Sequence, residues 1–293
     1  MLISVIVCTC NRAQSLRDTL EALLNQKTNN NFDYEIVLVD NNSKDDTGKV
    51  TQEYQYRSQR FKYVFEPKQG LSYARNHGIR EARGELIVFT DDDCIPEPDW
   101  LLKIAEFLAQ NPDLDGFLGG AKWEDGRSMY PQDNNILRGN GLNMAFRKTL
   151  FKKVGLFEEF LGAGSLGFSA EDAEFIYRVT RAGGKIIVHD AITIIHKHRI
   201  GTNEQLKIYY RDMIGLTIFR LKYLLYHGEF RMLKEIIRSI QYNMTMLLSN
   251  VKDEQKRLEK KARLKGTLIG IARGFCIWWL LVPCRKITTR AEK

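Results

Sequence analysis

The sequence contains little proline, and it has no tract of low complexity and no internal repeat of fixed period. Six prolines in 293 residues exclude a proline-rich linker protein, and the missing repeat excludes a collagen-like chain or a repeat array. Hydrophobic residues make up 44% of the chain and charged residues 27%, which is ordinary for a globular protein. The length suits one large α/β domain with an appendage, or two domains of modest size.

Cysteine is also scarce, and its spacing fits neither a disulfide framework nor a zinc site. Five cysteines are present, at positions 8, 10, 94, 276 and 284, with no Cys-x-x-Cys pair among them. The chain opens Met-Leu-Ile-Ser-Val without a basic segment, so no secretory signal is recognisable. We therefore expect reduced thiols in a cytoplasmic protein.

Most of the chain has no net positive charge, and the surplus of basic residues is concentrated at its C-terminal end. The net charge is +8, and residues 252–293 hold twelve Lys and Arg but four acids, so residues 1–251 are neutral. A nucleic-acid enzyme usually spreads positive charge along a groove of its main domain. This distribution argues against a nucleic-acid partner.

Short apolar segments alternate with helical patterns in the first third of the chain. Four segments are rich in β-branched or aromatic residues and too short for buried helices: residues 2–9, 34–39, 63–65 and 85–90. Helical patterns lie between them, at residues 15–25, 47–56 and 71–82. The alternation predicts an α/β fold with a mostly parallel sheet and helices on both faces.

Two of these predicted strands end in acidic residues. Asp40 follows one strand, and Asp91, Asp92 and Asp93 follow another. Ligands of an open parallel sheet bind beyond the carboxyl ends of its strands. Asp40 alone could instead cap the next helix. Three consecutive acids repel one another, so the cluster needs a cation or strong hydrogen-bond donors, unless it is a solvated turn.

A second half begins near residue 116. The pattern predicts strands at residues 116–123, 143–147, 185–188 and 191–195, with a helix at 148–154. Residues 161–169 are rich in Gly and Ser and suggest a mobile loop, after which Glu171 and Asp172 open a helix to about residue 182. His196 and His198 follow the last strand and share one face of it.

Taken together, five motifs in this order resemble family 2 glycosyltransferases. They are VIVCTCNR at 5–12, EIVLVDNNS at 35–43, GLSYARNHG at 70–78, DDD at 91–93 and ED at 171–172. The resemblance implies a GT-A fold over about residues 2–200. We expect a domain over residues 1–203, with a nucleotide-binding half to about 115 and an acceptor-binding half over 116–203. A helical, basic region would follow over 204–293.

The resemblance also implies roles on the donor side. Asp91 would contact the ribose and share a divalent cation, Mn²⁺ or Mg²⁺, with Asp93, and Asp92 could serve either role. Asp40 would accept a hydrogen bond from the base, typically uracil. The other residues of the implied nucleotide pocket are Thr9, Cys10, Asn11, Arg12 and Arg75. Family members often carry an aromatic residue where this chain has Cys10, so a stacking surface for the base is missing there.

On the acceptor side, Asp172 resembles the family's catalytic base, with Glu171 positioning the acceptor. Inverting transfer needs one carboxylate to take the acceptor hydroxyl's proton. Two acids at a helix N-terminus also stabilise the helix dipole, so a structural role stays open. His196 could supply a metal ligand, as could His198, although both could equally be surface histidines.

The C-terminal region reads as helices at residues 206–226, 229–248, 253–264 and 266–283. The last has one charge, Arg273, near its middle, and Trp278 and Trp279 near its end. A spanning helix needs about 20 apolar residues, so an anchor lying on anionic lipid fits better than a single span. Packing as a core helix or at a dimer contact stays open.

The sequence thus predicts an inverting, metal-dependent glycosyltransferase that uses a nucleotide-sugar, on resemblance a UDP-sugar. The processive family motif Gln-x-x-Arg-Trp is absent, which favours addition of one sugar at a time. The expected acceptor is a saccharide or a lipid-linked one at the inner face of the cell membrane. Two rivals are a nucleotidyltransferase of similar fold, which residues 5–16 disfavour because they lack glycine, and a non-catalytic sugar-nucleotide scaffold.

Overall fold

The computed structural model describes residues 1–129, 141–197, 201–249 and 253–281. The chain divides into two compact units. The first comprises Met1–Glu158 and Asp172–Arg199, and the second comprises Glu159–Glu171 and Ile200–Lys293. The expected domain boundary at residue 203 stays a prediction.

The first unit is built on one sheet of eight strands in the described residues. In chain order they are β1 Leu2–Thr9, β2 Asp33–Asp40, β3 Phe61–Phe65, β4 Leu86–Asp91, β5 Cys94–Pro96, β6 Gly116–Trp123, β7 Asn143–Arg147 and β8 Ile186–His196. The order across the sheet is β3-β2-β1-β4-β7-β6-β8-β5. Strands β3, β2, β1 and β4 are mutually parallel, whereas β7 and β5 run antiparallel to their neighbours. The predicted α/β class with a mostly parallel sheet is confirmed, since four of the seven strand pairings in the described residues are parallel.

Helices cover both faces of this sheet. Their bounds are α1 Ala13–Leu24, α2 Thr47–Arg57, α3 Leu71–Glu81, α4 Trp100–Gln110, α5 Lys148–Val154 and α6 Glu171–Arg181. One core packs β1 and β2 against α1, α2 and α4, with Leu16, Leu20 and Trp100 buried in it. The other packs the opposite face against α3, α5 and α6, with Phe89, Phe151 and Phe175 in contact. The alternating side chains of each strand therefore serve two cores, which is why the strands read as continuous apolar runs.

Strand β8 corrects the prediction of two short strands at residues 185–188 and 191–195. It is one strand, and the register against β6 jumps where His189 faces Gly119 but Thr193 faces Gly120. The residues between are accommodated in a bulge, which interrupts the apolar pattern without ending the strand. Strand β5 was not predicted, because three residues carry too little periodicity to be recognised.

The second unit is helical, with α7 Thr202–His227, α8 Phe230–Leu248 and α9 Glu254–Phe275. Helix α9 continues into a π-helical segment, Cys276–Leu281. The predicted break between residues 264 and 266 is wrong. Gly266 lies inside α9, where it contacts α7. A Cβ there would lie 2.3 Å from the Tyr210 carbonyl oxygen, so the missing side chain lets α9 approach α7 closely.

The predicted placement of Trp278 at a lipid interface is also corrected. Trp278 is buried, and its Nε1 donates a hydrogen bond to the Ile218 carbonyl oxygen at 2.7 Å. Ile277 is buried beside it, whereas Phe275 is partly exposed. The indole therefore packs on α7, the alternative that the sequence left open. Residues 282 and 283, the end of the predicted apolar segment, lie outside the described residues, as does the Trp279 side chain.

Across the helices that the structure describes, we find none with the length and apolar character needed to cross a membrane.

Helices α7 and α9 also hold the glycine-rich segment 159–171 of the second unit. The Arg273 guanidinium donates to the Leu166 carbonyl oxygen at 3.0 Å and lies 4.6 Å from the Phe168 ring centroid. Phe168 and Ala170 have positive φ angles of 64° and 70°, a strained conformation for residues with a side chain. Arg273, the one charged residue of the predicted apolar segment 266–283, thus holds the backbone that leads into Glu171.

Glycines on α9 give a stability prediction. A Cβ at Gly270 would lie 2.7 Å from the Thr217 Cβ and 2.9 Å from the Ile214 carbonyl oxygen. We expect Gly270→Ala to lower the free energy of unfolding by about 1–3 kcal/mol, the usual cost of overpacking. Gly48→Ala is the control, because nothing lies within 4 Å of a Cβ built there. Urea unfolding followed by circular dichroism measures both, and equal midpoints would contradict the close packing of α7 and α9.

Candidate active site

The carboxyl ends of three adjacent parallel strands place the acidic residues at one edge of the sheet. In the strand register Thr9 pairs with Asp40, and Cys8 pairs with Asp91. The predicted nucleotide residues of β1, β2 and β4 are therefore neighbours across the sheet, although they lie far apart in sequence. This edge is where an open parallel sheet binds ligands.

The turn after β4 presents Asp93 to a guanidinium and an imidazole. Arg12 Nη1 lies 2.7 Å from Asp93 Oδ2, and His196 Nε2 lies 3.3 Å from Asp93 Oδ1. The contact with His196 arises because β5 pairs antiparallel with β8, with Cys94 opposite His196. The sheet thus brings the predicted metal ligands Asp93 and His196 together. His198 lies outside the described residues.

These residues fit a hard divalent cation. The ligand atoms of Asp93, Cys94 and His196 lie within 4.8 Å of one another. Burial raises the pKa of the Cys94 thiol well above its usual value, which disfavours the thiolate that zinc would need. A carboxylate with an imidazole is a donor set that Mn²⁺ accepts, and carboxylates suit Mg²⁺ and Mn²⁺. Asp91 Oδ1 lies 3.7 Å from Arg75 Nη2, with about a third of its side chain exposed.

Asp92 is buried, like Asp93. Burial raises its pKa to about 6, although the Thr9 hydroxyl and the charge of Arg12 act in the opposite direction. Asp93 raises it further because two carboxylates repel. Arg12 is therefore the cation that offsets negative charge at both Asp92 and Asp93.

Asp40 is held by donors on both oxygens. The Ser43 amide donates to Oδ1 at 2.9 Å, and the Tyr63 hydroxyl donates to Oδ2 at 3.1 Å. Burial beside Asp40 raises the pKa of Tyr63 to about 12, so the phenol remains a donor at neutral pH. The carboxylate is thus oriented by β3, which the sequence reading did not anticipate.

The loop after β1 has a defined backbone conformation. Asn11 has a positive φ of 54°, and its amide donates to the Ser43 hydroxyl at 3.0 Å. Its side-chain oxygen accepts a hydrogen bond from the Lys44 amide at 2.6 Å. Cys10 is exposed beside this loop, and partial burial together with the charge of Asp40 raises the pKa of its thiol. The loops after β1 and β2 are therefore tied together around Asp40.

A backbone bridge connects Arg75 with Asp172. Arg75 is 3% exposed, and its Nη2 donates to the Gly141 carbonyl oxygen at 3.1 Å. The Gly141 amide donates to Asp172 Oδ2 at 3.0 Å, and the Ala173 amide donates to Asp172 Oδ1 at 2.7 Å. A Cβ on residue 141 would lie 2.8 Å from Arg75 Nη2, so glycine lets the guanidinium approach this backbone closely. The bridge sets the predicted base beside the arginine that contacts Asp91.

Glu171 belongs to the second unit and is buried. Burial raises the pKa of Asp212 in that unit, and the charge of Glu171 raises it further, whereas the Ser169 hydrogen bond and Arg263 lower it. The Ser169 hydroxyl donates to Asp212 Oδ1 at 2.9 Å. Glu171 is therefore close enough to Asp212 of its own unit for the two charges to interact.

Sequence reasoning missed Tyr63, Gly141, Cys94 and Asp212. Tyr63 lies on β3 two residues before Phe65, which pairs with Asp40, and strand pairing would have been needed to find it. Gly141 lies two residues before β7 in a polar stretch with no motif. Only the fold supplies these partners.

The comparison with protein families agrees with this geometry. The model described as Glycosyl transferase family 2 matches residues 4–164, more than half of the chain. The chain belongs to this family. Membership of the family 2 glycosyltransferases sets aside the nucleotidyltransferase alternative, because the family consists of enzymes that transfer sugars.

Two curated relatives are similar to this chain over about two thirds or more of its length. The hyaluronan synthase of Pasteurella multocida is 27% identical over 269 residues, covering 75% of this chain. Glycosyltransferase AglE of Haloferax volcanii is 26% identical over 205 residues, covering 65% of this chain. The matched region spans 27% of the length of the synthase and 65% of that of AglE.

Solved structures share the fold of this family 2 chain. TarS of S. aureus, in complex with UDP-GlcNAc, has a TM-score of 0.63 at 21% identity, covering 89% of this chain and 79% of that structure. The mannosyltransferase PcManGT of Pyrobaculum calidifontis, in complex with GDP-Man and Mn²⁺, has a TM-score of 0.58 at 18% identity, covering 99% and 79%. At these identities the likeness establishes the GT-A fold.

Proposed function

We propose that this chain transfers one sugar at a time from a nucleotide-sugar, with UDP as the nucleotide, by a metal-dependent inverting reaction. The observation that carries the proposal is the Gly141 bridge. It links Arg75, which contacts Asp91 of the donor side, with Asp172, which would act on the acceptor. Direct displacement at a sugar carbon requires the bound nucleotide-sugar and the general base to lie close together.

On the donor side, Asp93 and His196 would hold the divalent cation, with Asp91 contributing on its exposed side. The bound cation would neutralise the charge that develops on the leaving diphosphate. Arg12 and Arg75 add fixed positive charge at the same edge of the sheet. The manganese complex of PcManGT supports a cation in such a fold.

On the acceptor side, Asp172 would accept the proton of the acceptor hydroxyl as the new bond forms. Its carboxylate is oriented by two backbone amides, so little reorganisation is needed when the reaction begins. Glu171 would position the acceptor from the adjoining residue. Attack on the face opposite the leaving group inverts the anomeric carbon.

The base pocket gives a binding prediction. Tyr63→Phe removes the hydroxyl that orients Asp40, so we expect UDP binding to weaken by about 2–12-fold, the worth of one ordinary hydrogen bond. Tyr56→Phe is the control, because Tyr56 is 93% exposed on α2. Isothermal titration with UDP measures both variants. Unchanged UDP affinity in Tyr63→Phe would contradict the proposed role of Asp40 in binding the base.

The acceptor is proposed to be a saccharide or a lipid-linked saccharide at the inner face of the cell membrane. This chain would bind that face as a peripheral membrane protein. The basic surplus of residues 252–293 supports contact with an anionic surface.

Nucleotide release from a panel of UDP-sugars and GDP-sugars, with and without Mn²⁺, tests the proposed activity. The expected result is metal-dependent release from one UDP-sugar, stimulated by an acceptor saccharide. Tight nucleotide-sugar binding without release from any donor would instead indicate a non-catalytic scaffold.

A further inference from the structure

Helix α8 exposes a continuous apolar surface. Phe230 is 70% exposed and Leu248 is 82% exposed, at the two ends of the helix. Leu233, Ile237 and Met244 lie between them and are also exposed. At about 100° per residue these five side chains fall within one arc of about 60°, which we call the α8 stripe. Such a stripe is unusual on a helix whose other face is already packed.

A separate face of α8 is the one that serves the protein's own core. Met232, Ile236 and Asn243 are buried there, about a third of a turn around the helix from the centre of the stripe. Helix α8 packs on α7 and α9 through the buried face. The α8 stripe is therefore additional apolar surface and not a requirement for folding the helical unit.

Basic side chains border the α8 stripe on one side. Arg231, Lys234 and Arg238 occupy the adjoining arc of the helix and are exposed. The one acid within α8, Glu235, lies toward the buried side and pairs with Arg238 at 2.7 Å. A helix with an exposed apolar stripe and a basic border is typical of helices that lie in the interface of an anionic membrane.

We propose that the α8 stripe and its basic border form the surface that binds anionic lipid. The apolar side chains would enter the headgroup boundary, and the three bases would contact acidic headgroups. The inference rests on the proposed function at a membrane and deepens it. It assigns the apolar contact to α8 and not to the C-terminal segment 266–283, because Trp278 of that segment is buried against α7.

Charge favours lipid over a second copy of the chain. An antiparallel two-fold contact through the α8 stripe would place the two basic borders against each other. Helix α9, which packs beside α8, adds exposed Lys256, Arg257 and Lys261 to the same unit. The charge therefore complements an anionic surface and opposes this self-association.

Sedimentation with lipid vesicles tests the inference on the full chain. We expect binding to vesicles containing phosphatidylglycerol, little binding to pure phosphatidylcholine, and weaker binding in high salt. Leu233→Gln with Ile237→Gln should raise the lipid concentration for half-binding at least about tenfold. Tyr56→Gln, which replaces an exposed ring of the first unit, should leave it unaltered.

The basic border is tested separately. Lys234→Gln with Arg238→Gln should weaken binding to the anionic vesicles by about fivefold for each charge removed and should reduce the salt dependence. Lys49→Gln, at a side chain that is 81% exposed on α2, is the control for loss of a surface charge in the first unit. Equal binding by the border variant and its control would overturn the electrostatic part of the proposal.

Two outcomes would overturn the assignment of this surface. If Leu268→Gln with Phe275→Gln abolishes vesicle binding and the α8 variants do not, the tail and not α8 binds lipid. If light scattering shows a dimer that the α8 variants convert to a monomer, and the full chain does not bind vesicles, the stripe is a self-association surface. Nucleotide release by the α8 variants should equal that of the parent chain, so a failure here is distinct from a failure of the proposed transfer activity.

Discussion

Replacing Asp172 with asparagine is expected to lower the rate of sugar transfer by about 10²–10⁴-fold, the usual scale for loss of a general base. Asparagine keeps the size of the side chain and an oxygen that accepts the Gly141 or Ala173 amide, so the bridge to Arg75 can persist. What it removes is the basic carboxylate. Nucleotide affinity should therefore stay within about twofold of the parent, because a general base contributes to the reaction and not to donor binding.

The measurement is transfer to an acceptor saccharide together with UDP titration. Asp113→Asn is the matched control, because its side chain is 88% exposed on the surface of the same unit. Unchanged transfer in Asp172→Asn, or loss of UDP binding alone, would remove Asp172 from the role of base. A product with retained anomeric configuration would exclude the inverting mechanism.

Asp93→Asn is expected to abolish metal-dependent turnover while the fold survives. Asp93 contacts both Arg12 and His196, so its loss removes the central ligand of the proposed site. In the parent chain EDTA should stop turnover, and Mn²⁺ or Mg²⁺ should restore it.

Cation binding provides a readout apart from activity. Titration of Mn²⁺, followed by its electron paramagnetic resonance signal, should show a bound ion in the parent chain and much weaker binding in Asp93→Asn. Asp113→Asn again serves as the control for an acid lost from the surface. Full activity of Asp93→Asn, or equal Mn²⁺ binding, would place the cation elsewhere.

Local sequence anticipated much of the first unit for identifiable reasons. Residues 2–9 and 143–147 carry dense β-branched or apolar character, and the structure has strands over those same residues. The acids that follow β2 and β4 lie at strand ends because polar groups are excluded from the buried runs before them. Residues of the motifs at 5–12 and 91–93 then meet at one edge by parallel pairing.

Prediction failed where packing overrides local pattern. From local sequence alone, Gly266 predicts the end of a helix. In the structure α9 continues through it, and the glycine allows close contact with α7. Trp278 next to exposed Phe275 reads as an interfacial aromatic, yet its indole finds a hydrogen-bond acceptor in Ile218. The apolar content of α8 revealed nothing about which residues stay exposed.

The sequence by itself determined the α/β class, the order of the strand-terminal acids and the family to which the chain belongs. These follow from periodicity and from residues within single motifs, which act over a few positions. The tertiary structure alone decided the contact of Asp93 with His196, the bridge from Arg75 through Gly141 to Asp172, and the exposed stripe on α8. Each joins residues separated by many positions, or depends on which helix face is covered. Such contacts are set by strand pairing and close packing, which no local pattern encodes.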